Sequence, residues 1–160
     1  MPASGRCEIR IGSADDAEAI SAVIVAALRQ TNATDYPPAV IERLVHAFRP
    51  DGVRALMARR LCLVAVLDGR IAGTASLEES AVRSVFVDSA VQRRGVGRQL
   101  MAEIERVAIE RGTGLLDVQS SISAEPFYAR LGFTAVREHR FGEERTVIMR
   151  RRLTGRGRSP

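Results

Sequence analysis

The 160-residue sequence contains no lysine and no tryptophan, and only 4% of its residues are aromatic. All 24 basic residues are therefore arginine. Chemistry that needs a lysine amine is excluded, so neither a Walker A phosphate loop nor a pyridoxal-phosphate Schiff base can form. Cysteine is also scarce, because Cys7 and Cys62 lie far apart and lack the paired spacing of a zinc or redox site. We expect no metal.

A long hydrophobic run is absent as well. The longest nearly apolar stretch, residues 19–28, is about half of the roughly 20 residues that a membrane helix needs. The N-terminus has no basic segment followed by an apolar one. These features predict a cytoplasmic protein without a membrane partner. The apolar content of 46% is that of an ordinary globular chain, and a chain of this length buries enough surface to fold without disulfides.

The net charge of +5 is concentrated at the C-terminus. Residues 150–160 hold five arginines and no acid, so residues 1–149 are neutral overall. We therefore expect one domain over residues 1–150 and a disordered, arginine-rich tail over residues 151–160. A nucleic-acid partner is not favoured, because binding normally needs basic residues spread over a face of the domain. A tail that anchors the protein on nucleic acid is the alternative.

Hydrophobic periodicity predicts about seven strands and four to five helices. The strands are predicted near residues 7–11, 61–67, 70–77, 82–87, 115–119, 134–137 and 146–149. Ser13 and Asp16 resemble a capping box, Asp68 and Gly69 indicate a tight hairpin, and Ser123 is a predicted helix cap. Helical spacing predicts three helices before residue 58, one over residues 97–111 and one ending near residue 131. This order indicates an α+β fold with a mixed, mostly antiparallel sheet.

The stretch from Ser84 to Arg98 carries the most chemical information. A β-branched strand runs through a short glycine-containing turn into a helix. The first turn of a helix exposes unpaired backbone N–H groups at the positive end of the dipole, and glycine lets an anion approach them. Arginines beside the turn add charge-assisted hydrogen bonds. Leu100 stands where a dinucleotide-binding motif needs a third glycine, which argues against NAD.

A second pattern, Phe-Tyr-x-x-Leu-Gly-Phe, spans residues 127–133. Together with Gln92-x-x-Gly95-x-Gly97, it resembles the GNAT superfamily of acetyl-CoA-dependent N-acetyltransferases, whose acyl-CoA loop has the pattern Q/R-x-x-G-x-G/A. The resemblance extends over nearly the whole chain. It implies a single GNAT-like domain in which a twisted sheet opens in a V-shaped splay, and acetyl-CoA as co-substrate in that opening.

The resemblance also implies roles for individual residues. Backbone groups of Val85, Phe86 and Val87 would bond the pantetheine arm like an added strand. Tyr128 would be the general acid near the thioester sulfur. Ser121 stands where many relatives carry an asparagine that bonds the cofactor, and serine is shorter. The main-chain amides expected to hold the pyrophosphate are those of Arg93, Arg94, Gly95, Val96, Gly97 and Arg98.

The general base departs from a common pattern of the family. Ala81 occupies the position, counted from Gln92, where relatives often have a glutamate. Glu79 is the catalytic carboxylate that we expect, and either it or the adjacent Glu78 would act through water. Asp35, His46 and Glu143 are weaker candidates, and proton loss without a single base remains open.

The acceptor is expected to be a primary amine of a small molecule or peptide. Residues 31–38 would form the loop that walls its pocket, which makes Asp35 and Tyr36 candidate acceptor-binding residues along with Glu78. The competing function, motivated by Ala81, is a non-catalytic acyl-CoA-binding or sensor module of the same fold. A homodimer is compatible with the resemblance, although no pattern in the sequence demonstrates one.

Overall fold

The computed structural model describes residues 6–142 and 144–154. Within these ranges the chain forms one seven-stranded sheet flanked by five α-helices, in the order β1-β2-β3-β4-β5-β7-β6. All neighbouring strands are antiparallel except β4 and β5, which are parallel. The predicted α+β class and mixed sheet are confirmed.

The chain order is one strand, three helices, three strands, one helix, one strand, one helix and two strands. The strands are β1 (Cys7–Ile11), β2 (Leu61–Leu67), β3 (Arg70–Glu78), β4 (Ala81–Val87), β5 (Leu115–Ser121), β6 (Thr134–Phe141) and β7 (Glu144–Arg152). The helices are α1 (Ala17–Gln30), α2 (Pro38–Ala47), α3 (Pro50–Met57), α4 (Val96–Glu110) and α5 (Glu125–Arg130).

The apolar residues of the sheet form two cores, one on each face. Alternation along β2 sends Leu63 and Ala65 to the face covered by α4 and sends Cys62 and Val64 to the face covered by α1. On the α4 side, Leu100 and Ile104 are completely buried. On the α1 side, Ile20 and Ile24 pack with Val53 of α3. Burial of both faces fixes the register of the central strands.

Strands β4 and β5 pair only at their beginnings. Ala81 lies opposite Asp117 and Val82 opposite Val118, and no later residue of β4 pairs with β5 over the described chain. Beyond this point, which we call the fork, β5 pairs with β7 as far as Ser121. The two halves of the sheet therefore diverge, as the V-shaped splay predicts.

A β-bulge lies in β4 just beyond the fork. Thr74 pairs with Phe86, but Ser76 pairs with Arg83, so β4 contains one extra residue. Ser84 has a left-handed backbone with a φ of +53°. A bulge bends its strand, and this one lies where β4 no longer pairs with β5.

Three local expectations differ from the structure. The last two strands are longer than predicted, and β7 continues to Arg152. Leu153 is 8% exposed, and its amide donates to the carbonyl of Gly114 at 2.9 Å. The folded domain therefore extends beyond residue 150, and the rest of the expected tail, residues 155–160, lies outside the described chain. Ser123 does not cap α5, because its hydroxyl donates to Asp35 instead.

Candidate active site

A cavity of about 760 Å³ lies between the diverging strands. This volume is in the range of small-molecule and cofactor sites. Its wall contains Val85, Phe86 and Val87 from β4, Ser121 from β5 and Tyr128 from α5. Ser121 is buried, and the edge of β4 that faces β5 has no strand partner after the fork. Unpaired main-chain groups therefore border the cavity.

The turn before α4 contributes a second set of main-chain donors. Among the described residues, the amides of residues 93–98 have no protein acceptor, whereas the amide of Gln99 donates to the carbonyl of Gly95 at 3.0 Å. Gly95 has a φ of +80° and is the N-cap of the 15-residue helix α4. We call these six amides the cradle. They lie at the positive end of the helix dipole, where an anion is stabilised.

Five of the six cradle residues also line the cavity: Arg93, Gly95, Val96, Gly97 and Arg98. Arg94 is exposed and is not in the wall. At Gly97 an added Cβ would lie 3.1 Å from the ring of Phe127, so this glycine allows α4 and α5 to approach. The sequence predicts a glycine here so that a phosphate can approach closely. Packing between α4 and α5 is a second reason for a glycine at position 97.

Tyr128 is held in the wall by two aromatic neighbours. Its ring makes edge contacts with Phe127 at 5.0 Å and with Phe133 at 5.7 Å between centroids. The side chain is 5% exposed, and its hydroxyl has no hydrogen-bond partner among the described residues. Burial raises the pKa of Tyr128, and the nearby Tyr36 makes a smaller contribution in the same direction. The phenol is therefore protonated at neutral pH and can donate into the cavity.

The segment between α1 and α2 reaches the same cavity. Tyr36 lines it, and burial raises the pKa of Tyr36 to about 12, with smaller contributions from Glu144 and Asp35. Asp35 is not in the wall. Its carboxylate accepts hydrogen bonds from the amide of Ser123 at 3.1 Å and from the Ser123 hydroxyl at 2.5 Å. The sequence predicted that Asp35 and Tyr36 both bind the acceptor. In the structure, Asp35 instead connects this segment to the loop before α5 through its bonds to Ser123.

The candidate bases lie outside the cavity wall. Glu79 is exposed at the β3–β4 turn, with a φ of +56°. Oε1 of Glu78 lies 3.4 Å from Nε of Arg60 and 3.6 Å from Nε of Arg83. His46 is exposed on α2, and Glu143 lies outside the described residues. Over the described chain, the wall contains no aspartate, glutamate or histidine.

Several residues of the cavity wall could not be identified from the sequence alone. Ser84 lines the cavity because of the bulge, and Gln119 reaches it from β5 while donating to Thr146 Oγ1 at 2.8 Å. Thr31 and Asn32 follow α1. Phe127 could have been identified, since it belongs to the pattern that singled out Tyr128.

Residues 6–142 and 144–154 contain no group of three or more histidine, cysteine, aspartate or glutamate side chains placed to hold a metal ion. They also contain no helix with the length and apolar character to cross a membrane.

Comparisons with known proteins identify the family to which this fold, with its fork and adjacent cradle, belongs. Residues 32–151 match the family described as "Acetyltransferase (GNAT) domain". The chain therefore belongs to the GNAT acetyltransferase family.

Individual relatives support this membership. The chain is 27% identical over 133 residues to the uncharacterized N-acetyltransferase YafP of Escherichia coli (strain K12), covering 83% of this chain and 85% of that protein. A GCN5-related N-acetyltransferase structure from Rhodopseudomonas palustris superposes with a TM-score of 0.87 at 26% identity, over 96% and 99% of the two chains. The PaiA N-acetyltransferase of Thermoplasma acidophilum, in complex with coenzyme A, shares the fold with a TM-score of 0.81 at 18% identity, over 92% and 99%.

Proposed function

We propose that this protein is an acetyl-CoA-dependent N-acetyltransferase that moves an acetyl group directly to a primary amine of a small molecule or peptide. The observation that carries the proposal is the continuity of three features along one cavity: the open edge of β4, the cradle and the buried phenol of Tyr128. The location in the cytoplasm and a homodimeric state stay predictions.

The residues present fit acetyl-CoA as the acetyl donor. A diphosphate needs several N–H donors, and the cradle offers six that lack protein acceptors in the described chain. The pantetheine arm contains amides, which can pair in the manner of an added strand with those main-chain groups along Val85, Phe86 and Val87 that face away from β3. Ser121 can contribute a hydroxyl from the opposite side. When bound there, acetyl-CoA supplies an acetyl group activated as a thioester.

The acceptor amine must lose a proton before its nitrogen can attack the carbonyl carbon. A lysine-like amine has a pKa of about 10.4, so about one molecule in 10³ is neutral near pH 7.4. Because the described wall has no carboxylate or imidazole, we propose that water removes the proton. Glu79 and Glu78, at the turn before β4, are the proposed carboxylates that receive it.

Tyr128 acts on the leaving sulfur in this proposal. A thiol has a pKa of about 8.5 and a phenol about 10, so complete proton transfer to the thiolate is uphill by about 2 kcal/mol. Burial raises the pKa of Tyr128 further and makes complete transfer harder. We infer that the phenol stabilises the developing negative charge by donating a hydrogen bond.

The substitution Tyr128→Phe tests this role. The ring and its contacts with Phe127 and Phe133 are kept, while the donor is lost. We expect kcat to fall by about 10²- to 10³-fold, the range for loss of one donor that stabilises a developing negative charge. The measurement is thiol release from acetyl-CoA in the presence of a panel of primary amines.

Calorimetric titration with acetyl-CoA is the control, because affinity is expected to stay within about threefold in this variant. A kcat equal to that of the unsubstituted protein, with a responsive amine, would remove Tyr128 from the mechanism.

A non-catalytic acyl-CoA-binding module is the second candidate function. It is favoured by one observation, the lack of any described carboxylate or imidazole in the cavity wall. This function retains acetyl-CoA binding but predicts no thiol release above the rate without protein for any amine. The amine panel therefore separates the two candidates.

A further inference from the structure

A cluster of arginines lies beside the fork, on the sheet face opposite to α4. Val82, the last residue of β4 that pairs with β5, is buried against the α4 core. Arg83 follows it, so its side chain leaves the opposite face at the point where the strands diverge. Both sequence neighbours of Arg83, Val82 and Ser84, line the cavity. Arg83 is therefore adjacent to the acyl-CoA cavity but projects from its other side.

Arg60 joins Arg83 from the start of β2. Its Nη1 donates to the hydroxyl of Ser84 at 3.2 Å, and only 13% of its side chain is exposed. Ser84 also lines a smaller pocket that contains Arg60, between α1, α3 and the sheet. The bulge residue thus lies between the large cavity and the Arg60 guanidinium.

The carboxylates nearby do not satisfy this cluster. Nε of Arg60 and Nε of Arg83 are both buried without a hydrogen bond, although Oε1 of Glu78 lies at 3.4 and 3.6 Å. Glu78 is one negative charge between two guanidinium groups. Asp117, at the fork itself, is occupied by Arg150, which donates to its two oxygens at 2.7 and 3.1 Å.

Arg83 still has hydrogen-bond donors without a protein partner in the described chain. Among the described residues, the terminal nitrogens of Arg83 make no hydrogen bond to protein, and 42% of its side chain is exposed. Burial, the largest cause, lowers the pKa of Arg60, while Glu78 raises it. A second anion beside this guanidinium would therefore stabilise its charged form. A planar carboxylate matches the parallel N–H donors of a guanidinium group.

We propose that the acceptor is an amine that also carries a carboxylate, and that Arg83 and Arg60 beside Ser84 bind that carboxylate at the fork. The inference rests on the proposed function, since it names the class of acceptor for the same reaction. Glu78 then orients the two guanidinium groups rather than binding the acceptor amine. An acceptor bound from this face presents its amine to the cavity from the side opposite to α4.

The test compares amino acids with the amines that lack their carboxylate: phenylalanine with phenethylamine, histidine with histamine, and lysine with cadaverine. Each amine is assayed by thiol release with the unsubstituted protein, with Arg83→Gln and with Arg83→Lys. The ratio of kcat/KM within each pair is the readout. The intrinsic reactivity of each amine is the same for all three proteins, so it cancels when their ratios are compared.

We expect Arg83→Gln to lower this ratio by about 10- to 100-fold, as loss of a charged hydrogen bond does, through a higher KM for the amino acid. Arg83→Lys should recover part of the ratio. The control is Arg54→Gln, which removes a surface arginine paired with Asp51 on α3 and should leave the ratio unchanged. Equal ratios in the unsubstituted protein and in Arg83→Gln would overturn the carboxylate site while leaving the acetyltransferase proposal standing.

A binding measurement tests the carboxylate site independently of acetylation. N-acetylphenylalanine and N-acetylphenethylamine are titrated calorimetrically into the protein loaded with coenzyme A. Tighter binding of the carboxylate, lost in Arg83→Gln, supports the site even if no amine is acetylated, in which case the proposed activity fails instead. Equal binding of both compounds contradicts the site.

Discussion

The two ends of helix α4 provide a matched test of the cradle. Gly95 immediately precedes the helix with a φ of +80°, and Gly112 follows its end with a φ of +79°. An added Cβ would meet only Gln99 Nε2, at 4.0 Å, at Gly95 and nothing within 4 Å at Gly112. Gly95→Ala and Gly112→Ala therefore introduce the same backbone strain, about 1–2 kcal/mol, without a steric clash at either end.

Only Gly95 adjoins the donors proposed to hold the diphosphate. If strain at Gly95 turns one cradle amide away from an anion, the lost charge-assisted hydrogen bond is worth about 1.5–3 kcal/mol. The expected rise in the Kd for acetyl-CoA is then about 10- to 100-fold. Gly112→Ala should keep the affinity of the unsubstituted protein while losing similar stability.

Calorimetric titration with acetyl-CoA measures the affinities, and urea unfolding measures the free energy of unfolding of both variants. Equal affinity in Gly95→Ala and the unsubstituted protein would refute the cradle. An equal loss of affinity in both variants would attribute the effect to stability and refute the local argument as well.

Two further predictions concern the stability of the fold. Asp35→Ala removes both acceptors of the Ser123 bonds, so we expect a loss of about 1–2 kcal/mol in the free energy of unfolding, measured in urea; an unchanged value would show that the tie contributes nothing. Hydrogen bonding by Arg10, with help from Ser13, lowers the pKa of Asp16 from 3.8 to about 2. Because the folded pKa lies below the unfolded one, this stabilisation is present above pH 4 and disappears as the pH falls toward 2. Asp16→Asn should therefore lower the free energy of unfolding by about 1 kcal/mol at neutral pH and by little near pH 2. The value at neutral pH is kept small because Arg10 is half exposed to solvent. A loss that does not depend on pH would contradict this prediction.

The sequence was sufficient for the features that depend on local patterns. The Asp68-Gly69 turn, the Ser13 and Asp16 capping box and the start of α4 near Gly97 are each determined by residues close in the chain. The cradle belongs to this group, because one left-handed glycine and the first turn of a helix generate it.

Features made by distant segments could not be predicted in the same way. The fork depends on how far β4 and β5 pair, and the bulge at Ser84 depends on the register between β3 and β4. Asp35 and Ser123 are 88 residues apart, and each fits its own local role in the sequence, one as a loop residue and one as a helix cap. Only the folded chain shows that they bond to each other. The Arg60 and Arg83 cluster was missed for the same reason.

The open edge of β4 links the architecture to the chemistry. A strand in the middle of a seven-stranded sheet normally satisfies its N–H and C=O groups on both sides, and leaving them unpaired is unfavourable. Here the unpaired edge beyond Val82 leads, through a short turn, to the unpaired amides of residues 93–98. One extended ligand with amides in its middle and a diphosphate at one end can satisfy both sets. Recognition of this kind relies on main-chain atoms, so it needs no lysine and tolerates wide variation of side chains.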